Sequence, residues 1–223
     1  MNDVRDALGF RMKIVLACPT YGPVNPEVAK HIRFAAICAA NNGIKFVGDV
    51  STDRLPTTHA RNSCVREAMK LNPDGIMWVD SDMKPEADHM VRLLNHKHHF
   101  VSGLYFRREG KHDPLVYDWT EEGFVPTSPL PMNALVGADG CGFGWAYTSI
   151  SMLKKMEAHP DFDPHSGWFP DKRYSGGFGD DLGFCDLARK AGIPLYVDTS
   201  IIVGHEQSAR FIGLEEFMEA QRD

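Results

Sequence analysis

Short apolar runs alternate with longer amphipathic stretches through the first eighty residues. KIVLACP (13–19) is an apolar run bounded by turn formers, and from about Pro26 to Asn41 Ala, Ile and Phe recur on one helical face. IKFVGDV (44–50) predicts a second strand, THARNSCVREAMKL (58–71) a second helix, and GIMWVD (75–80) a third strand. Strands that are apolar at nearly every position are buried on both faces. A parallel sheet covered by helices, in the α/β class, is therefore expected.

The pattern then changes. A helix is expected near Glu86 to Leu94, after which FVSGLYF, PLVYDW and ALVGADG are strands separated by turns rather than helices. The second half should hold a mixed or antiparallel arrangement. SISMLKKMEA (149–158) predicts another helix, residues 159–179 a long loop rich in Pro, Gly, Asp and aromatics, and a further helix begins near Asp180. Ordered loops of that length commonly carry function. LYVDTSIIVGH (195–205) is a strand region, and a short helix from Leu214 follows. Repeats, low-complexity tracts and linkers are missing from the sequence.

With 223 residues, 43% of them hydrophobic, the chain fits one compact domain with a full core. A net charge of −6 argues against long nucleic-acid grooves. The one basic cluster, Arg107, Arg108, Lys111 and His112, reads as a solvated turn, and His96, Lys97, His98 and His99 as a solvated helix end. Five widely spaced cysteines without a C-x-x-C pair suit a reduced, cytoplasmic protein. Neither a signal-peptide pattern nor a membrane span of 18 apolar residues is expected.

The chemistry concentrates at DSD (80–82), at the carboxyl end of the third strand. Residues i and i+2 of an extended segment share a side, so Asp80 and Asp82 would face one point while Ser81 faces away. Open α/β sheets place their ligands at this end of the strands. Two adjacent carboxylates repel unless a proton or a cation joins them, and oxygen ligands favour Mg²⁺ or Mn²⁺. The competing reading makes one aspartate a helix cap and leaves the other solvated.

Four stretches, CPTYGPVNP (18–26), ARNSCVREA (60–68), MWVDSDM (77–83) and GDDLGFCDLARKAGIPLYVDTSIIVGH (179–205), together resemble the nucleotide-sugar-dependent glycosyltransferases of the GT-A fold, family 2-like members in particular. The resemblance implies a Rossmann-type nucleotide-binding half over about 13–83 and an acceptor-side, catalytic half over about 84–223. Pro19, Thr20 and Tyr21 would then hold the base and ribose, with Asp49 or Asp53 as a further base- or ribose-binding acid, the choice between the two being open. Arg61 would face the diphosphate, whose oxygens suit its planar fork. Asp80 and Asp82, joined by His205, would hold Mn²⁺ or Mg²⁺. The acidic pair of GDDLGF would supply the catalytic base of an inverting enzyme, with Asp181 in the base position and Asp180 in place of the commoner Glu. An aspartate at a helix start is also a good cap, and either acid could take that part. Gly140, Cys141 and Gly142 resemble the segment under the donor sugar and acceptor, and Trp168 and Phe169 could stack on a sugar.

The resemblance thus implies a metal-dependent transfer of a sugar from a nucleotide diphosphate donor, UDP-sugar favoured, to a hydroxyl acceptor. That acceptor could be a saccharide, a protein or, less in keeping with the acidic charge, a modified DNA base. A sugar nucleotidyltransferase would need a Gly-rich, basic loop where PTYGPVNP has one glycine and no basic residue. A D-x-D-x-T phosphatase would need Thr where Lys84 stands. A non-catalytic nucleotide- or sugar-binding module is the remaining alternative.

Overall fold

A computed structural model describes residues 12–173, 177–207 and 210–221. Its first elements follow the apolar pattern: β1 (Met12–Pro19), α1 (Pro26–Asn41), β2 (Ile44–Thr52), α2 (Thr57–Lys70) and β3 (Gly75–Val79). β1 lies between β2 and β3 and runs parallel to both. Pro26 opens α1 and Asn25 caps it, the Asn25 side chain accepting from Glu27 N at 2.9 Å.

The chain continues through β4 (Met83–Lys84), α3 (His89–Asn95), β5 (Phe100–Leu104), β6 (Val116–Thr120), β7 (Gly123–Pro126), β8 (Leu135–Ala138), β9 (Gly140–Cys141) and β10 (Trp145–Ser149). It then forms α4 (Ile150–Glu157), α5 (Asp180–Lys190), β11 (Leu195–Ile202), β12 (Gly204–Gln207), β13 (Arg210–Ile212) and α6 (Leu214–Ala220). Seven strands make one mixed sheet in the order β2-β1-β3-β10-β5-β11-β8. β10 enters between β3 and β5 antiparallel to both, whereas β11 is parallel to β5. Two three-stranded sheets flank it, β13-β12-β4 and β7-β6-β9.

Successive residues of the central strands feed opposite layers. Val15, Ile76, Trp78 and Ala146 join Phe100, Phe143 and Phe184 on one face, while Ile14, Met77, Val79 and Trp145 join Val101, Tyr105 and Ile201 on the other. The period of two in side-chain direction explains why both sets must be apolar.

Two expected boundaries moved. The helix anticipated from Glu86 starts at His89, because Glu86 N donates to His89 Nδ1 at 3.2 Å and the intervening residues form a turn. LYVDTSIIVGH divides at Val203, whose amide donates to Leu104 O at 2.8 Å, so β12 leaves the main sheet and pairs with β4. His96 to His99 are not simply solvated: His96 Nε2 lies 2.8 Å from Asp198 Oδ2, and His98 stacks on Tyr196. Among the described residues no helix is long and apolar enough to cross a membrane, and the five cysteines are free thiols.

Candidate functional site

The extended backbone of β3 ends at Val79, and the aspartates sit beyond it in a turn. Asp80 N donates to Gly144 O at 2.9 Å and Met83 N to Asp80 O at 3.1 Å. This corrects the expectation of two carboxylates sharing one side of a strand. Asp80 and Asp82 diverge to different partners, and Ser81, expected to face away, lines the same cleft as both.

Asp80 Oδ2 accepts from Arg61 Nη2 at 3.0 Å. Arg61, on the second turn of α2, is 2% exposed and sits against the rings of Trp78, Phe143 and Phe169, with its guanidinium carbon 5.5–5.9 Å from their centroids. Its Nε lies 3.2 Å from Asp181 Oδ1 and 3.5 Å from Asp180 Oδ2. One guanidinium therefore serves three carboxylates. Burial opposes its charge, but Asp80, Asp181 and Asp180 outweigh that and hold it protonated. Arg61 was expected to face a diphosphate; its side chain instead lies beneath the cleft, walled by aromatics.

The N-terminal cap of α5 is Gly179, and neither acid caps the helix. Both belong to its first turn and direct their carboxylates at Arg61. Asp181 Oδ2 also accepts from Phe143 N at 3.2 Å. Burial pushes the Asp181 carboxyl up to about 7, with Arg61 opposing the rise and Asp180 and Asp80 reinforcing it. Burial likewise raises Asp80 against the pull of Arg61. Among the described residues Asp80 Oδ1, Asp180 Oδ2, Asp181 Oδ1 and Arg61 Nη1 are buried without a hydrogen-bond partner. The three carboxylates share the single positive charge of Arg61.

Two clefts meet above this cluster. The first, of about 520 Å³, is lined by Pro19, Thr20, Tyr21, Leu55, Pro56, Thr57, Asp80, Ser81, Asp82 and Arg108 among others. The second, of about 380 Å³, holds Asp180, Asp181, Cys141, Gly142, Tyr117, Leu115 and Arg107. Arg173 lines both. The structure thus brings Pro19, Thr20, Tyr21, Asp80 and Asp82 to one cleft, and Asp180, Asp181, Cys141 and Gly142 to the other. Gly142 is needed for packing, since a Cβ there would overlap the Tyr105 hydroxyl. Gly140 is buried by Phe124 and Leu182 and lines neither cleft, and the same is true of the exposed Asp49 and Asp53.

Trp168 and Phe169, expected to stack on a sugar, are core residues. Trp168 Nε1 donates to Leu153 O at 3.0 Å, and Phe169 packs on Trp78, Phe143 and Phe184. Asn62 fixes this loop: its Oδ1 accepts from Trp168 N at 2.8 Å and Phe169 N at 3.3 Å, and its Nδ2 donates to Ser166 O at 2.9 Å. A side chain on Asn62's partner Gly167, at φ 69°, would strike that amide. Sequence reasoning missed Asn62 because an Asn inside a helix carries no local signal of a contact a hundred residues away.

On the far side of the DSD turn, Asp82 Oδ2 lies 3.1 Å from Arg108 Nη1 and 3.4 Å from His205 Nε2. Burial works to raise Asp82, but the hydrogen bond and charge of His205 and the charge of Arg108 carry it below the usual carboxylate range. His205 Nδ1 is 2.8 Å from Phe106 O, so that nitrogen carries the proton. Nε2 is the nitrogen that faces Asp82, 3.4 Å away. Among the described residues no three His, Cys, Asp or Glu side chains converge as a ready cation site. Of the three residues expected as ligands, Asp82 and His205 lie 3.4 Å apart, and Asp80 lines the same cleft as Asp82. The donor set fits an oxygen-preferring divalent ion.

The chain is similar to A197 from STIV, known from a crystal structure, with a TM-score of 0.59 and 18% identity over 92% of each chain. At that identity the likeness is one of fold. No protein-family model and no curated protein matches the sequence.

Proposed function

We propose that the protein is a GT-A-like glycosyltransferase, moving a sugar from a nucleoside diphosphate sugar to a hydroxyl acceptor. The observation that carries this reading is the pairing of clefts over one buried guanidinium, with the DSD turn in one and Asp181 in the other.

The first cleft would take the donor, with the exposed Tyr21 ring at its mouth offering a face to the base. Asp80, Asp82 and His205 would hold Mn²⁺ or Mg²⁺. Such an ion, when bound, neutralises charge gathering on the departing diphosphate. Asp181 faces the second cleft with a carboxyl that titrates near neutrality, as a general base requires. Its Oδ2, which accepts from the Phe143 amide, would take the acceptor proton. Arg61 keeps this carboxylate and that of Asp80 oriented toward their separate clefts. A base on the side of the sugar opposite the leaving group favours inversion.

Calorimetric titration with UDP and then GDP, with and without Mn²⁺, tests the donor half of this reading. Mn²⁺-dependent binding that disappears in Asp80→Ala/Asp82→Ala is expected. Release of nucleoside diphosphate from a sugar donor, reduced in Asp181→Asn, tests the chemistry. Binding without release across saccharide, protein and DNA acceptors would favour a non-catalytic binding module instead.

A further inference from the structure

The loop between β5 and β6 brings to the site a residue that the sequence reading placed in a solvated turn. Phe106 bridges to Pro114, and Arg107 N donates to Asp113 O at 2.9 Å, so the ends of the loop are pinched together. Residues 107–111 between them are exposed. The two arginines at its root diverge: Arg107 lines the second cleft and reaches the Tyr117 hydroxyl at 3.3 Å, whereas Arg108 lines the first. Arg108 lies on Asp82 Oδ2, the oxygen that also faces His205. The loop's root is tied to the same centre, because the Phe106 carbonyl fixes the His205 ring.

Arg108 is 52% exposed, in contrast to Arg61. A hydrated ion pair of that kind is held weakly, by roughly a few-fold in an equilibrium constant. A guanidinium and a divalent cation cannot both sit on one carboxylate oxygen without strong repulsion, whereas the guanidinium fork fits phosphate oxygens well. We propose that Arg108 is an exchangeable counter-cation: it neutralises Asp82 until a divalent ion binds there, and it then moves to a phosphate oxygen of the nucleoside diphosphate in the same cleft. This inference rests on the proposed function. It makes Arg108 a donor-binding residue and couples cation and nucleotide, since each favours the arginine position that the other needs.

The test uses the full chain as wild type, Arg108→Ala, Arg108→Lys and Asp82→Ala, with free Mn²⁺ followed by electron paramagnetic resonance. Without nucleotide, Arg108→Ala should bind Mn²⁺ roughly threefold or more tightly than wild type, because its competitor is gone. At saturating Mn²⁺ the same variant should bind UDP or GDP roughly tenfold more weakly, with Arg108→Lys intermediate in both measurements. Mn²⁺ binding that Asp82→Ala abolishes but Arg108→Ala leaves unchanged or weakens would overturn the role of Arg108 while leaving the functional reading in place. Failure of both wild type and Arg108→Ala to bind Mn²⁺, with or without UDP or GDP, would overturn the functional reading and this inference together.

Discussion

Two acids five residues apart on α5 keep opposite company. Asp181, in the first turn, shares the lone guanidinium of Arg61 with Asp80 and Asp180. Asp186, in the middle of the helix, meets three cations: Arg189 Nη2 at 2.8 Å, Lys190 Nζ at 3.1 Å, which Asp161 shares, and Lys172 Nζ at 3.2 Å. Burial acts to raise both carboxyls. Around Asp186 the hydrogen bonds from Arg189, Lys190 and Lys172 outweigh burial and lower it, whereas Asp181 is carried up to about 7. Asp186 is an anchor whose charge is fully bonded. Asp181 belongs to a cluster of three carboxylates around Arg61 beside two clefts, the imbalance of charge on which the proposed function draws.

Removing Arg61 breaks the comparison most severely. Arg61→Leu removes the buried cation that Asp80, Asp180 and Asp181 share and should cost about 3–5 kcal/mol, read from the urea unfolding midpoint, with partial recovery when Asp80→Asn is added. Asp181→Asn should cut nucleoside diphosphate release about 10²–10⁴-fold while leaving UDP binding intact, the split being measured by kinetics and calorimetry. At pH 8 the same variant should unfold at a urea concentration no lower than wild type, since it removes a charge that folding disfavours.

The two acids should also give pH dependences of opposite sign. The folded value of Asp181, about 7, lies above its ordinary 3.8, so the native state binds more protons between those values. Its contribution is complete below pH 3.8 and is lost as pH rises toward 7. Asp186 is lowered, so its contribution is complete above pH 3.8 and is lost as pH falls through its folded value. Urea midpoints across pH 3–8 should therefore show a flatter decline above pH 4 in Asp181→Asn and a flatter acid limb in Asp186→Asn. The smallest effect should be the neutral-pH loss in Asp186→Asn, about 1 kcal/mol, because its three cations are partly exposed and recover water.

The first half of the fold was legible because a strand buried on both faces is an apolar run, as β3 is throughout and β1 is over Ile14–Ala17, while β2, at the sheet edge, keeps an apolar start before its polar end. The antiparallel entry of β10 between β3 and β5 was not, since WAYTS has the right composition for a strand but nothing local that names its neighbours. At the site, Asp80, Asp82 and His205 stood out by their positions at the ends of apolar strands, whereas Asp180 and Asp181 were marked only by the resemblance of GDDLGF to a family motif. The turn at Asp80–Met83 was hidden, because a strand ending at Val79 and one ending at Asp80 look alike in sequence. Trp168 and Phe169 misled for a physical reason: aromatics in a Gly- and Pro-rich loop suggest a binding platform, whereas here the loop folds inward, Trp168 packing on Phe162 and Phe169 completing the wall around Arg61. Arg108 was passed over because its partner, Asp82, lies on a different element.

The Asn62 amide has a consequence for which changes this chain can accept. It sits next to Arg61 and reads the backbone of residues 166–169, so one turn of α2 sets both the charge centre and the path of the loop beside it. The stretch up to Phe169 is thereby measured out to the residue, and an insertion there would pull the aromatic wall off the guanidinium. A foreign loop could be transplanted into this scaffold only if it brought its own matching amide.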